Sequence, residues 1–158
     1  MCVRTCGRIL ILSLSMLAPA LAAAADSTSL CSSGEERIFS CRTKHQVYEI
    51  CVSGDISPTS GYMQYRAGKK GKITFEFPSQ RLIPTQYFQF ELLPRGAQIS
   101  FRNAGFTYEI VEPLIGTPHI SVSSNDGKTT ATINCLNHSD GLTLTTTQDK
   151  LKSWGLYQ

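Results

Sequence analysis

Residues 88–110, FQFELLPRGAQISFRNAGFTYEI, decide the fold, because apolar and polar side chains alternate there with a period of two. Three alternating runs are separated by turns around Gly96 and Gly105. Alternation places successive side chains on opposite faces of a strand, and glycine suits the positive φ of tight turns. This stretch therefore predicts consecutive antiparallel strands with one face in the core.

Similar runs on either side extend the prediction over most of the chain. A short helix is expected over 148–153, with Thr147 as its N-cap, Gly155 after its end, and Leu151 and Trp154 facing the sheet. The expected fold is all-β: a small antiparallel β-barrel or sandwich of about nine strands with a short C-terminal helix. The further strands are expected at 37–42, 46–52, 61–67, 73–77, 118–124 and 128–135. The core phenylalanines are expected at 75, 77, 88, 90, 101 and 106, whereas Tyr87, Tyr108 and Tyr157 are candidates to edge a groove.

The first 25 residues have the pattern of a signal peptide. Arg4 and Arg8 precede an apolar stretch at 9–21, and Ala22 to Ala25 offer small residues for cleavage. We expect residues 26–158 to form a single disulfide-stabilised domain in the periplasm or outside the cell. Cleavage leaves 13 basic and 12 acidic residues, a formal charge of +1, which gives no support to nucleic-acid binding.

Four cysteines remain after cleavage: Cys31, Cys41, Cys51 and Cys135. An even number in an oxidising compartment favours two disulfides. In the predicted hairpin Cys41 lies near Val47, too far along the strand from Cys51 for a direct bond. Two pairings stay open, Cys31–Cys41 with Cys51–Cys135, or Cys31–Cys51 with Cys41–Cys135. The even spacing of the first three lacks the close ligand pairs of a zinc site, so we expect no metal and no cofactor.

The densest unusual segment, GYMQYRAGKKGKITFEFP at 61–78, combines cations, glycines and aromatic residues at the end of a predicted hairpin. Aromatic and arginine anchors are typical of protein-binding hot spots. The alternative is a solvated turn kept soluble by lysines, with the tyrosines in or beside the core. The candidate binding residues are Tyr62, Tyr65, Arg66, Lys69, Lys70 and Lys72.

Enzyme signatures are weak, and no catalytic residue is predicted. His138, Ser139 and Asp140 are immediate neighbours in sequence, so their side chains do not converge easily as a triad. The enzyme alternative is a hydrolase whose site is assembled from scattered residues such as His119, His138, Asp140 and Glu109. It requires a histidine and a carboxylate within hydrogen-bond reach in one pocket.

The motifs that carry a resemblance are FSC at 39–41, CVSG at 51–54, YMQYR at 62–66, Gly68 and Gly71-Lys72. In this order, over about residues 31–115, they resemble small exported proteins of Gram-negative bacteria. The resemblance implies an exported β domain with disulfides, and it supplies no catalytic residues.

A wider similarity, at the level of fold only, is to periplasmic lysozyme inhibitors and to immunity proteins against cell-wall-attacking toxins. It implies a non-enzymatic binding protein that inhibits or neutralises another exported protein, such as a toxin or cell-wall hydrolase, by occlusion. The alternatives are the hydrolase and an envelope module that binds glycan or lipid. The expected loop is 62–72, with Arg66 or a lysine paired to acidic groups of the partner.

Overall fold

The computed structural model describes residues 29–69, 72–136, 144 and 147–157. The predicted signal peptide lies outside these residues. The described chain forms nine β-strands in two antiparallel sheets, one 3-10 turn over Pro84–Gln86 and one short α-helix. The all-β prediction, with about nine strands and a C-terminal helix, is confirmed.

Each sheet is a meander, because hydrogen-bonded neighbours are also consecutive in sequence. The first sheet has the order β1-β2-β3-β4 and the second the order β5-β6-β7-β8-β9, and neither closes into a barrel within the described residues. The elements are β1 (Glu35–Arg42), β2 (Val47–Ser53), β3 (Met63–Lys69), β4 (Lys72–Phe77), β5 (Phe88–Leu93), β6 (Gly96–Asn103), β7 (Phe106–Pro113), β8 (His119–Ser124), β9 (Thr129–Asn134) and α1 (Gln148–Ser153).

Both sheets contribute to one hydrophobic core rich in aromatic rings. Tyr65 of the first sheet meets Phe101 of the second with ring centroids 5.1 Å apart, and Phe101 stacks on Tyr108 at 4.6 Å. Each such pair contributes about 0.5–1.5 kcal/mol beyond burial alone. Phe88 is buried as predicted, but the prediction for Phe106 is wrong. This residue begins β7 beyond the edge of the core and is 38% exposed.

The disulfides are Cys31–Cys51 and Cys41–Cys135, the second of the two pairings that the sequence left open. Cys41 and Cys135 lie in the core shared by the two sheets. Cys51 lies opposite Gln64 on the outer face of the first sheet, where Cys31 approaches it from the N-terminal segment. Two disulfides are typical of proteins that fold in an oxidising compartment.

The β1–β2 hairpin differs by one residue from its predicted register. Cys41 pairs with Tyr48 rather than Val47. The connection is a turn in which the backbone N–H of Thr43 donates to the carbonyl of Gln46 at 2.9 Å. The predicted absence of a direct Cys41–Cys51 bond is nevertheless confirmed.

The helix α1 buries the side chains that the sequence predicted, Leu151 and Trp154. Gly155 follows its end with φ +74°, as expected for a glycine that terminates a helix. The capping role predicted for the Thr147 side chain is wrong. Its hydroxyl donates to the carbonyl of Leu144 at 3.3 Å and makes no cap hydrogen bond to the helix.

Candidate functional site

The outer face of the first sheet carries a row of charged side chains in which Arg66 and Glu49 are buried and Glu76 is partly exposed. Arg66 points away from the core and is 2% exposed, and its register partners are Glu49 on β2 and Glu76 on β4. Tyr65, its neighbour in sequence, faces the core and is equally buried. The N-terminal segment at 29–34 lies over this face and supplies polar partners to it.

All five N–H donors of Arg66 are bound within the protein. Its Nε donates to Glu76 at 2.8 Å. Nη1 donates to Glu35 at 2.5 Å and to the carbonyl of Leu30 at 3.0 Å. Nη2 donates to Glu35 at 2.9 Å and to the side chain of Gln64 at 2.6 Å. A guanidinium has five donors, so none is left for a partner's carboxylate, contrary to the docking role predicted for this arginine.

A second buried carboxylate, Glu49, continues the network toward β1. It accepts hydrogen bonds from Arg37 at 3.1 Å, from the backbone N–H of Leu30 at 2.7 Å and from the hydroxyl of Ser29 at 2.9 Å. The Cys31–Cys51 disulfide fixes the same N-terminal segment to β2. This segment therefore closes the charged face by covalent and polar contacts together.

The carboxyl group of Glu35 and the guanidinium of Arg66 stabilise each other's charged forms. Burial raises the pKa of Glu35, but hydrogen bonds from Arg66, Tyr62 and the backbone of Ser32 outweigh this effect and leave it below its ordinary value. Burial lowers the pKa of Arg66, but its hydrogen bonds to Glu35 and Glu76 outweigh that effect and raise it. Glu35 and Arg66 therefore form a buried ion pair within the fold.

The remaining predicted binding residues are less buried or lie outside the described chain. The Tyr62 ring is half-buried, and the guanidinium of Arg81 lies 4.8 Å from its centroid. Lys69 and Lys72 are exposed and pair across the end of the β3–β4 hairpin. Lys70 lies outside the described residues. Lys69 and Lys72 are therefore exposed at the end of this hairpin, whereas the predicted anchors Tyr65 and Arg66 are buried.

One set of potential metal ligands is already engaged in other bonds. The sulfurs of Cys31 and Cys51 and a carboxylate oxygen of Glu49 lie within 4.8 Å of one another. Because the two sulfurs are joined in a disulfide, neither is a thiolate that can bind a metal.

The described residues of the alternative enzyme site lie on the outer face of the second sheet. Glu109 pairs with Ser121, two residues along β8 from His119. No hydrogen bond joins His119 to Glu109 in the described structure. His138 and Asp140 lie outside the described residues, so the described part of the chain assembles no histidine–carboxylate pair from these candidates.

Exposed apolar side chains are concentrated at one end of the second sheet. Of the seven large apolar side chains that are exposed in the described residues, four lie at this end, which we call the apolar end. They are Leu92, Leu114, Ile115 and Leu136. Leu114 is 67% exposed and Ile115 is 93% exposed, both in the loop that joins β7 to β8.

This β7–β8 loop, LIGTP at 114–118, follows Pro113 at the end of β7 and is held at both ends. Pro113 and Pro118 restrict its backbone. The N–H of Leu114 donates to the carbonyl of Arg95 in the neighbouring turn at 2.9 Å, and the N–H of Cys135 donates to Pro118 at 3.0 Å. Sequence reasoning missed this loop. Its signal was an uncharged apolar pair between two prolines, outside the period-two pattern.

Comparison of this chain with protein-family models, with curated proteins and with solved structures gives no match. None of the described helices is long and apolar enough to cross a membrane.

Proposed function

We propose that this chain is an exported, non-enzymatic binding protein, built as a β-sandwich, that inhibits or neutralises another exported protein by occlusion. The β7–β8 loop would enter an apolar cleft of that partner. The observation that carries the proposal is the exposure of Leu114 and Ile115, side by side, on a loop restrained at both ends. Contiguous exposed apolar groups mark sites of protein, ligand or membrane interaction, whereas single ones are normal on a surface.

The two side chains can supply part of the free energy of binding. Full burial of one leucine or isoleucine contributes about 1.5–3 kcal/mol, so covering the exposed fractions of Leu114 and Ile115 contributes about 3 kcal/mol. This corresponds to about a hundredfold in Kd. Because the prolines and backbone hydrogen bonds already order the loop, little conformational entropy is lost on binding.

The lysines of the β3–β4 hairpin have a different role in this proposal. Lys69 and Lys72 are exposed cations without the aromatic and arginine anchors that the sequence suggested. Such cations accelerate the approach of an acidic partner more than they hold it. The lipid-binding alternative predicts an exposed aromatic strip or an apolar cavity, whereas the rings of Phe88, Phe90 and Phe101 are buried in the core.

The test is affinity capture with the full chain, exported and purified from the periplasm, as bait for envelope and culture-fluid proteins. The double variant Leu114→Ser/Ile115→Ser removes the two exposed apolar side chains of the β7–β8 loop. Phe106→Ser is the matched control, since it removes an exposed apolar side chain from the opposite end of β7. Proteins retained by each bait are quantified by mass spectrometry, and the Kd of a purified partner is then measured with all three baits.

We expect a partner that binds the unchanged chain and the Phe106 variant equally, and binds the loop variant about a hundredfold more weakly. If the partner is an enzyme, its activity should fall with the same Kd. A partner that binds the loop variant unchanged, or that is lost equally with the Phe106 variant, would contradict the loop assignment. Equal melting temperatures of the three baits establish that folding is intact.

A further inference from the structure

The outer face of the second sheet forms an open polar groove that runs across the strands. Two concavities of about 510 and 620 Å³ share the residues Arg102, Thr107 and Glu109. The first extends to Gln89 on β5, and the second extends to Ser123 on β8. Because they share these residues, they form one trench from β5 to β8, which we call the polar groove.

The strand register lines this groove with polar side chains in rows. One row that crosses all five strands consists of Gln89, Ser100, Glu109, Ser121 and Thr132. None of the seven lysines of the chain lies in strands β5 to β9. Lysine is common on solvated faces and depleted from binding surfaces, because ordering its long side chain is costly.

The polar groups of this groove retain hydrogen-bonding capacity. Gln98 donates to Glu91 at 2.9 Å. In contrast, the side chains of Ser100, Arg102 and Glu109 make no hydrogen bond or ion pair with another described residue. The outer face of the first sheet differs, because its arginine and carboxylates are already bound within the protein.

The composition of the groove decides the class of ligand. Two carboxylates, Glu91 and Glu109, outnumber the single guanidinium of Arg102, so the groove disfavours a polyanion. It has too few exposed apolar side chains for a lipid chain or for the apolar centre of a protein interface. Amides, hydroxyls, two carboxylates and a guanidinium match a ligand that is rich in neutral hydroxyl groups.

We propose that the polar groove binds a neutral oligosaccharide laid across strands β5 to β8. Three strand spacings of about 4.8 Å separate β5 from β8, so the groove is about 14 Å long, enough for a short oligosaccharide. Tyr87 lines the β5 end of the groove, and its ring packs edge-on against Phe77 at 6.0 Å. A ring held in this way offers an apolar surface to a sugar, while the row of polar side chains receives its hydroxyls.

The test is a titration of the ¹⁵N-labelled full chain, followed by NMR, with chitotetraose and with cellotetraose. These probes share neutral hydroxyl groups, and only the first has acetamido groups. Arg102→Ala removes the groove's guanidinium. Arg95→Ala is the matched control, since Arg95 is also exposed and lies in the β5–β6 turn outside the groove. A sulfated oligosaccharide of similar length tests the charge argument.

At least one neutral probe should shift amide signals of β5 to β8 with a Kd in the millimolar range or below. Arg102→Ala should weaken binding about tenfold, as expected for loss of a charged hydrogen bond, and Arg95→Ala should leave it unchanged. Binding of chitotetraose alone assigns an acetamido-bearing glycan, whereas binding of both assigns a general neutral glycan. Absence of shifts up to about 10 mM, shifts insensitive to Arg102→Ala, or tighter binding of the sulfated probe overturns the proposal. The Leu114→Ser/Ile115→Ser variant should bind the glycan with unchanged Kd. Loss of glycan binding and loss of the protein partner can therefore be distinguished from each other.

Discussion

Replacing Arg66 by methionine tests whether its buried ion pair with Glu35 stabilises the fold. Methionine retains much of the side-chain volume but none of the five hydrogen bonds. Glu35, whose side chain is 3% exposed, then loses its buried cation, and only the exposed Arg81, 3.9 Å away, remains. Removing one partner of a buried ion pair costs about 3–5 kcal/mol. Since a domain has only about 5–15 kcal/mol of net stability, we expect strong destabilisation.

The assay is urea unfolding at pH 7, followed by fluorescence of Trp154, the only tryptophan, which is 8% exposed in the folded state. A loss of about 3–5 kcal/mol also lowers Tm by about 10–20 °C for a domain of this size. Arg81→Met is the matched control. Arg81 is 60% exposed and lies 3.9 Å from Glu35, so its replacement should cost less than about 1 kcal/mol.

A second variant separates loss of the ion pair from loss of packing. Glu35→Gln in the Arg66→Met background removes the uncompensated charge, so the double variant should lose less than the sum of the single losses by at least about 1 kcal/mol. The reasoning is refuted if Arg66→Met costs less than about 1 kcal/mol, if it costs no more than Arg81→Met, or if the two losses add.

Three further changes are expected. The lowered pKa of Glu35 contributes stability that is present above its unfolded-state pKa and is lost as the pH falls through the folded value. The unfolding free energy should therefore decline as the pH falls below the ordinary glutamate value of 4.5, and it should decline less steeply in Glu35→Gln. Replacing both cysteines of a disulfide by alanine should lower the free energy of unfolding, measured by urea titration, by about 5 kcal/mol for Cys41–Cys135 and by about 3 kcal/mol for Cys31–Cys51. The first disulfide closes a separation of 94 residues and the second one of 20. The reverse order of losses would contradict the explanation by loop entropy. Gly61→Ala should lower Tm far more than Gly34→Ala. Both glycines have positive φ, but a Cβ at Gly61 would lie 2.6 Å from Ile56 Cα, whereas one at Gly34 would meet nothing within 4 Å. Equal losses of Tm would mean that backbone strain, not the steric clash, accounts for the whole effect.

The strands were predictable because their signal is local. The alternation at 88–110 depends only on which side chains face the core, and the structure pairs β5, β6 and β7 over this stretch. Phe106 shows the limit of that signal. It continues the alternation of β7, but the pattern contains no information on where the opposing sheet ends.

The disulfide pairing depended on a register that the sequence did not specify. With Cys41 opposite Val47, as predicted, Cys41 and Cys51 would share one face of the sheet, and both pairings would stay open. With Cys41 opposite Tyr48, the two cysteines lie on opposite faces, because side chains alternate along β2. The predicted register of the β1–β2 hairpin was wrong by one residue, and it therefore hid the fact that Cys41 faces the core, where Cys135 lies, whereas Cys51 does not.

The role of Arg66 was not predictable from its neighbours in sequence. Its acceptors come from residues 30, 35, 64 and 76, which lie in the N-terminal segment and in three strands. A segment rich in glycine and lysine beside an arginine looks like a projecting loop. Only the sheet register shows that β3 is central and that a second layer of chain covers its outer face.

The two sheets leave different surfaces for binding. The first has its outer face covered by the N-terminal segment, tied by Cys31–Cys51, and its charged groups satisfy one another. The second has an open outer face, and the Cys41–Cys135 disulfide anchors the chain just after β9 to β1. A partner's contacts are therefore expected on the second sheet, at the polar groove or at the apolar end. Because these sites use different side chains, Arg102→Ala and Leu114→Ser/Ile115→Ser should each remove one activity and leave the other, and a variant that removed both while folded would show that they form one site.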